Sequence, residues 1–227
     1  MKKIKVAFFG TPDFSVPSLD ILANHPLVDL CYVISMPDRK AGRGMELQSP
    51  EVITYAKAHK IPFFQTKNIN QEAEFLQKLK AEKVDTFIVL AFAQFLSNDL
   101  LAIAANGSYN IHTSLLPKYR GAAPIQYALL NGDESTGVSI QKMVKKMDAG
   151  DIGLSQPVDI SEYETGGQLY TRLKYQAALS LNDFVNGLIS ESISFHTQDE
   201  SNVSFAPTLK RDDGKLSFTD LTFAEIN

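Results

Sequence analysis

Short apolar runs alternate with amphipathic helical patterns through the first two thirds of this 227-residue chain. Strands that alternate with helices are joined by crossovers, so this order predicts an α/β fold: a Rossmann-like, mostly parallel sheet with helices on both faces. The predicted strands are residues 4–9, 27–35, 61–64, 86–90 and 109–112. The predicted helices are residues 14–24, 50–59, 70–82, 100–105 and 124–131, and residues 36–49 form a polar loop.

The pattern changes in the last third of the chain. Residues 137–144 and 152–160 alternate polar and apolar side chains around a polar turn, which predicts an antiparallel addition to the sheet. Residues 164–188 have the period of one long amphipathic helix, and the polar stretch 197–202 is typical of a linker. We therefore expect a catalytic domain over residues 1–190, a linker over 191–208 and the start of a second domain over 209–227.

Composition argues against several functional classes. The formal net charge of −4 is not that of a general nucleic-acid binder, so any RNA contact would need a local basic patch. The single cysteine, Cys31, allows no internal disulfide and is expected to be a buried thiol. The four histidines show no metal-ligand spacing, so we expect no metal site. No segment has the pattern of an export signal or a membrane span, which predicts a cytoplasmic protein.

The turn after the first predicted strand invites comparison with dinucleotide-binding loops. Gly10 is followed by Pro12 and by Phe14 to Val16, where the later glycines of a GxGxxG motif would be needed. Proline also lacks the backbone N–H that a phosphate would accept from. A bound dinucleotide is therefore not expected.

The segment 110–125, NIHTSLLPKYRGAAPI, carries the strongest chemical signal. The period of a strand places Asn110 and His112 on one face, where an amide and an imidazole can both donate to a developing oxyanion. Asp148, in the string MDAGD, lies at a turn from which its carboxylate can point into a cleft. Each feature alone is more often structural, an Asp in such a turn above all. Because open α/β sheets bind ligands at the carboxyl ends of their strands, we predict that the three side chains meet in one cleft.

The chain also contains strings that resemble a known family. FFGTPDF, PDRKAGRG, NIHTSLLPKYRGAAPIQ and MDAGD together resemble the formyltransferases over roughly residues 5–218. The string NIHTSLLP is typical of the whole family, whereas GTPDF, PDRKAGRG and RGAAPI in combination are similar to its branch that acts on methionyl-tRNA. The resemblance implies the formyltransferase fold. It also implies transfer of the formyl group of 10-formyltetrahydrofolate to the α-amino group of methionyl-tRNA, which supplies initiator tRNA for translation.

The resemblance further implies roles for matching positions. Asn110, His112 and Asp148 match the catalytic residues of the family. The loops 89–96 and 142–147 match segments around the pterin, and the expected folate contacts are Ser114, Leu115, Leu116, Pro117, Gln94 and Leu96. The loop 38–49 matches an element that meets the acceptor arm of the tRNA, which makes Arg39, Lys40 and Arg43 the expected RNA contacts. The tail from residue 210 resembles the first strand of a small β-barrel domain, and we expect a monomer.

The expected mechanism is direct attack of a neutral amine on the formyl carbon, with Asn110 and His112 donating to the tetrahedral oxyanion. His112 must be protonated, or be in the right tautomer, to donate from the nitrogen that faces the substrate. Asp148 could orient His112, stabilise the protonated ring, or help to remove the proton of the amine through water. The sequence leaves these three roles open.

Two other functions remain to be weighed. A sugar-nucleotide or glycinamide-ribotide formyltransferase would keep the chemistry and change the acceptor, although PDRKAGRG argues against the glycinamide type. A non-catalytic folate-binding module would keep the fold without turnover. The presence of Asn110, His112 and Asp148 argues against that second alternative.

Overall fold

A seven-stranded sheet forms the centre of the protein in a computed structural model that describes residues 3–41 and 44–215. The strands, in chain order, are β1 Ile4–Gly10, β2 Val28–Ser35, β3 Arg39–Ala41, β4 Glu46–Gln48, β5 Phe63–Gln65, β6 Thr86–Leu90, β7 Ser108–His112, β8 Arg120–Gly121, β9 Ser135–Lys142, β10 Ile152–Asp159 and β11 Phe205–Ala206. The central sheet has the order β10-β9-β7-β6-β1-β2-β5. Its five strands from β7 to β5 are parallel, and β9 and β10 are antiparallel additions. The predicted fold class is therefore confirmed.

Helices cover both faces of this sheet. They are α1 Val16–Asn24, α2 Glu51–Ala58, α3 Ala73–Ala81, α4 Asn98–Leu101, α5 Pro124–Leu130 and α6 Gly166–Ile189, with short 3₁₀ turns at Asp13–Ser15, Ile69–Gln71, Glu200–Asn202 and Arg211–Gly214. Thr165 and Gln168 form a capping box at the start of α6, which satisfies backbone donors in its first turn. Among the described residues, no helix combines the length and the apolar character needed to cross a membrane.

Successive side chains of the buried strands pack into two separate hydrophobic cores. In β1, Val6 and Phe8 join the core beneath α1, α2 and α6, whereas Ala7 and Phe9 join the core beneath α3 and α4. Because successive side chains of a strand point to opposite faces, a strand that is buried on both faces has a continuous apolar sequence. The parallel strands β1, β6 and β7 end at the same edge of the sheet, at Gly10, Leu90 and His112.

Two local predictions need correction. The polar loop 36–49 contains the two-stranded hairpin β3–β4, which pairs Arg39 with Gln48. The helix predicted over 100–105 is α4, which begins earlier because the Ser97 side chain accepts a hydrogen bond from the Leu100 N–H. Within the stretch 191–208, β11 pairs with β8 in parallel, so Phe205 and Ala206 are packed against the rest of the chain.

Candidate active site

Strand β7 delivers the amide and the imidazole to the carboxyl edge of the sheet. Asn110 and His112 are two residues apart near the end of this strand, so they share one face. His112 is 6% exposed and Asn110 is partly buried. Both side chains line a cavity of about 800 Å³, a size typical of small-molecule sites.

The turn after β9 contains Asp148, which provides the carboxylate of the site. Asp148 has φ +50°, in the left-handed region that non-glycine residues seldom adopt. Gly150 allows the turn to lie against the end of β9, because a Cβ atom at this position would clash with the carbonyl oxygen of Lys142. The string MDAGD therefore places the Asp148 side chain in the cavity by a backbone conformation as well as by its sequence position.

The carboxylate of Asp148 contacts several of the other polar groups of the site. Its Oδ1 atom accepts from Asn110 Nδ2 at 3.3 Å and from Gln141 Nε2 at 3.0 Å. Its Oδ2 atom accepts from the Gly121 N–H at 2.9 Å and lies 3.7 Å from His112 Nδ1. The structure thus brings together the three residues that the sequence proposed as a catalytic group.

The hydrogen bond on the far side of His112 determines which nitrogen can meet a substrate. Nε2 lies 2.8 Å from the carbonyl oxygen of Tyr119, and because a carbonyl oxygen can only accept, Nε2 carries the proton. In the neutral ring Nδ1, which faces Asp148, is then an acceptor. Only the doubly protonated imidazolium can donate from Nδ1 to a bound oxyanion.

Sequence reasoning missed three buried polar residues behind the carboxylate. Gln141 donates to Asp148 and accepts from the Gly150 N–H at 3.1 Å. Gln198 donates to the backbone carbonyl oxygens of Asp148 and Gly150 at 2.9 and 2.7 Å. Arg120, which is 2% exposed, donates to Gln198 Oε1 from Nε at 3.1 Å and from Nη2 at 2.7 Å. Gln141 could have been found once β9 was paired with β7, because it lies opposite Asn110.

Two loops form one wall of the cavity. All eight residues 89–96 line it, as do residues 142–145 and Met147, which are the segments predicted to surround a pterin. Gln94 and Leu96 are both part of this wall. The amide of Gln94 is occupied by structural bonds, because its oxygen accepts from the Ile69 N–H and its nitrogen donates to the Thr66 carbonyl oxygen, each at 2.8 Å.

The opposite wall is apolar and comes from distant parts of the chain. Pro12, Phe14, Pro124 and Ile125 lie here beside Tyr170. The Tyr170 hydroxyl donates to Asp13 at 2.6 Å, and burial together with this bond raises the pKa of Tyr170. The phenol is therefore held neutral, and the wall offers an uncharged surface to a ligand.

The segment 114–117 does not lie in the cavity lining. Ser114 is fully buried, and its hydroxyl donates to the Lys118 carbonyl oxygen at 2.6 Å. The Leu116 N–H donates to Ser139 Oγ at 3.0 Å, and Leu115 packs where a Cβ on Gly137 would stand. The geometry therefore gives no support to folate contacts from Ser114, Leu115, Leu116 and Pro117, whose buried bonds hold the loop that follows His112.

Arg39 and Lys40, two of the predicted RNA contacts, do not line the cavity. Arg39 and Lys40 are exposed on β3, and Arg43 lies outside the described residues. Over residues 3–41 and 44–215, no group of three or more His, Cys, Asp or Glu side chains is placed to hold a metal ion.

Comparison with known proteins gives a consistent pattern. Residues 2–183 match the model of the family described as formyl transferase. The chain is 38% identical over 216 residues to a methionyl-tRNA formyltransferase of Thermotoga maritima and 40% identical over 216 residues to one of Bacillus thuringiensis. Each alignment covers 95% of this chain and 68% of the relative.

Solved structures share the fold at lower identity. A phosphoribosylglycinamide formyltransferase from Bacillus halodurans superposes with a TM-score of 0.69 at 24% identity, over 83% of this chain and 96% of that one. An N-formyltransferase from Helicobacter canadensis, in complex with folinic acid and dTDP-3-aminofucose, gives 0.71 at 21% identity, over 99% of this chain and 78% of that one.

Proposed function

Since the chain belongs to the methionyl-tRNA branch of the formyl transferase family, we propose that it transfers the formyl group of 10-formyltetrahydrofolate to the α-amino group of methionyl-tRNA. The product is the initiator tRNA used in translation. The observation that carries the proposal is the convergence of Asn110 and His112 on Asp148 at the mouth of one cavity.

Formyl transfer needs stabilisation of one oxyanion and movement of one proton. The amine nitrogen forms a bond to the formyl carbon, and the carbonyl electrons move onto oxygen. The tetrahedral intermediate then collapses, the bond from carbon to N10 of the folate breaks, and the proton released by the amine goes to N10. Donors aimed at such an oxyanion contribute about 10²–10³ to kcat each.

Asn110 and His112 supply those donors. The amide nitrogen of Asn110 has two hydrogens, and its contact with Asp148 uses only one. The Nδ1 atom of the His112 imidazolium provides the second donor, because Nε2 is engaged by Tyr119. Two donors then converge on the position where negative charge develops.

Two of the possible roles of Asp148 fit its geometry. The distance of 3.7 Å from His112 Nδ1 is too long for a direct hydrogen bond, yet short enough for the carboxylate to stabilise the imidazolium. One water molecule between the amine and the carboxylate could relay the proton. The bonds from Gly121 and Gln141 keep the carboxylate in place for either role.

The two walls of the cavity suit the two substrates. We assign the loops 89–96 and 142–147 to the pterin of the folate donor, because they line the cavity beside the catalytic group. The Helicobacter protein of the same fold is in complex with folinic acid. The apolar wall around Phe14 and Ile125 suits an uncharged thioether side chain such as that of methionine. Arg39 and Lys40 remain the proposed RNA contacts, as does Arg43.

The remaining expectations about the whole chain are also proposals. We assign residues 1–190 to the catalytic domain and propose that the enzyme acts as a monomer. The division into a linker over 191–208 and a second domain over 209–227 stays a prediction, because residues 216–227 lie outside the described residues.

A comparison of acceptors tests the function. The 227-residue chain is incubated with 10-formyltetrahydrofolate and with methionyl-tRNA, an amino-sugar nucleotide or glycinamide ribotide in parallel, and formylated product is measured. We expect transfer to methionyl-tRNA to exceed transfer to the other acceptors by at least about tenfold. Preference for the amino sugar would favour a sugar-nucleotide enzyme, and folate binding without transfer to any acceptor would favour a binding module.

A further inference from the structure

We propose that Gln198 is a positioning residue for formyl transfer, which sets the turn that presents Asp148. Gln198 does not line the cavity, and it belongs to the polar stretch that follows α6. The inference rests on the proposed function, because it adds a part to the same site. It explains why a residue 50 positions away from Asp148 is 6% exposed and fully engaged.

The turn that holds Asp148 needs support from outside itself. At φ +50°, Asp148 is in the left-handed region, which costs a residue with a Cβ conformational energy that contacts with the surroundings can offset. The backbone carbonyl oxygens of Asp148 and Gly150 both point toward Gln198 and accept from its Nε2 atom at 2.9 and 2.7 Å. The same nitrogen lies 3.1 Å from Gln141 Oε1, so three acceptors share its two hydrogens and the amide links both sides of the turn to β9.

The orientation of the Gln198 amide follows from its partners. Arg120 can only donate, so the atom at 2.7 and 3.1 Å from its guanidinium must be the oxygen. Backbone carbonyl oxygens can only accept, so the atom that faces them must be the nitrogen. All of these partners fit the same orientation of the Gln198 amide. A side chain that lacks either a donor or an acceptor therefore cannot replace glutamine at this position.

Gln198 also connects the two elements that hold the carboxylate. Arg120 begins β8, and the next residue, Gly121, donates its N–H to Asp148 Oδ2. The same strand pairs with Phe205–Ala206, whereas His196 forms an isolated bridge with Ile152, so the chain after Gln198 is tied to β8 and the chain before it to β10. We therefore expect a change at Gln198 to shift both the turn and β8, the strand that donates a hydrogen bond to the Asp148 carboxylate.

Displacement of Asp148 should affect turnover more than binding. Gln198 does not itself line the cavity, and the lining residues that it contacts are Gln141 and Asp148, so the loop 89–96 and the apolar wall stay in place when it is changed. A misplacement of about 1 Å in a catalytic group can cost about 10² in rate. We therefore expect kcat to fall by about 10–100-fold, with KM for each substrate changed by less than a factor of about three.

Two substitutions separate the two sides of the amide. Gln198→Glu keeps an acceptor for Arg120 but places a carboxylate oxygen against the carbonyl oxygens of the turn, whereas Gln198→Leu removes both functions. Gln77, an exposed residue of α3, provides the matched controls Gln77→Glu and Gln77→Leu. For each variant, kcat, both KM values, the pH profile of kcat and amide hydrogen exchange of residues 143–151 are measured.

Support for the proposal would consist of a lower kcat in both Gln198 variants, an altered pH profile and faster exchange in 143–151, with the Gln77 variants unchanged. Near-normal turnover of Gln198→Glu would show that only the contact with Arg120 matters, and would overturn the proposal. Higher KM values at unchanged kcat would do the same.

The two hypotheses fail in different ways. Absence of transfer to methionyl-tRNA by the unsubstituted chain would refute the proposed function, and hydrogen exchange would still report on the turn. Unchanged exchange in both Gln198 variants would refute the positioning role whatever the acceptor. If Gln198→Leu does not fold, the same measurements on Gln198→Glu decide the question.

Discussion

The Nε2 atom of His112 donates to the carbonyl oxygen of Tyr119 at 2.8 Å, and this bond turns Nδ1 toward Asp148. The orientation of the ring is therefore determined by the backbone of the loop that follows β7. The sequence alone left the tautomer open, and this contact assigns it. Catalysis from Nδ1 then depends on a second proton on the ring.

Removal of the ring or of the negative charge should abolish most of the turnover. We expect His112→Ala and Asp148→Asn each to lower kcat by about 10²–10³, because each change removes or weakens a donor to the oxyanion. Single-turnover formylation of methionyl-tRNA measures the effect, and circular dichroism verifies folding. Turnover within a factor of about three of the unsubstituted chain, in a folded variant, would exclude the residue from the mechanism.

Gly150→Ala should disturb the catalytic turn because the added Cβ meets the Lys142 carbonyl oxygen. We expect a loss of about 1–3 kcal/mol in the free energy of unfolding, as for other changes that force strain on a backbone, together with a fall in kcat. Gly167→Ala is the matched control, because a Cβ there has no heavy atom within 4 Å and lies in the first turn of α6. Urea unfolding and steady-state kinetics compare the two. Equal stability of both variants would contradict the close packing of Gly150 against the Lys142 carbonyl oxygen.

Arg39→Ala and Lys40→Ala should weaken tRNA binding without a change in chemistry. Both side chains are exposed on the β3–β4 hairpin, and neither lines the cavity. We expect a higher KM for methionyl-tRNA, an unchanged kcat, and a weaker dependence of KM on salt, because each lost phosphate contact reduces the salt slope by about one. Lys60→Ala, at an exposed site outside the hairpin, is the control. A salt slope identical to that of the unsubstituted chain would argue against RNA contact at the hairpin.

Acid should remove the contribution of Glu200 to stability. Hydrogen bonds from Arg120 and Lys146 lower the pKa of this carboxyl to about 2. A carboxyl whose pKa is lower in the folded state stabilises the fold at pH values above its pKa in the unfolded state. That contribution is lost as the pH falls toward its pKa in the folded state.

The corresponding test uses Glu200→Gln. We expect its Tm to lie below that of the unsubstituted chain at pH 7, and the difference to shrink as the pH falls below about 4.5. Because Glu200 is 59% exposed, the difference should be small and should decrease in high salt. A difference in Tm that stays constant from pH 7 to pH 3 would contradict this account.

The parts of the site that the sequence predicts well are those governed by local periodicity. Asn110 and His112 lie two positions apart on a strand, so their common face follows from backbone geometry. The hairpin of β9 and β10 was predictable from alternation for the same reason. The edge of the sheet at which these residues meet follows from the parallel order of the strands.

The parts that escaped prediction depend on partners far away in the sequence. Gln198 lies in a run of polar residues that resembles a solvated linker. Its burial is favourable because Arg120, 78 positions earlier, and the turn around Asp148 satisfy its amide. Gln94 similarly looks like a ligand contact, but its amide is committed to the backbone of Thr66 and Ile69. A single sequence does not reveal such pairings, because both members look like ordinary surface residues.

The parallel pairing of β8 with β11 has a consequence for biosynthesis. Tyr119 donates its N–H to Ser204 across 85 positions, and Gln198 reaches Asp148 across 50. Contacts of such wide sequence separation form late, because a long stretch of chain must first be ordered. A nascent chain that has already assembled its sheet and α6 should thus stay inactive until residues 198–206 have emerged and docked.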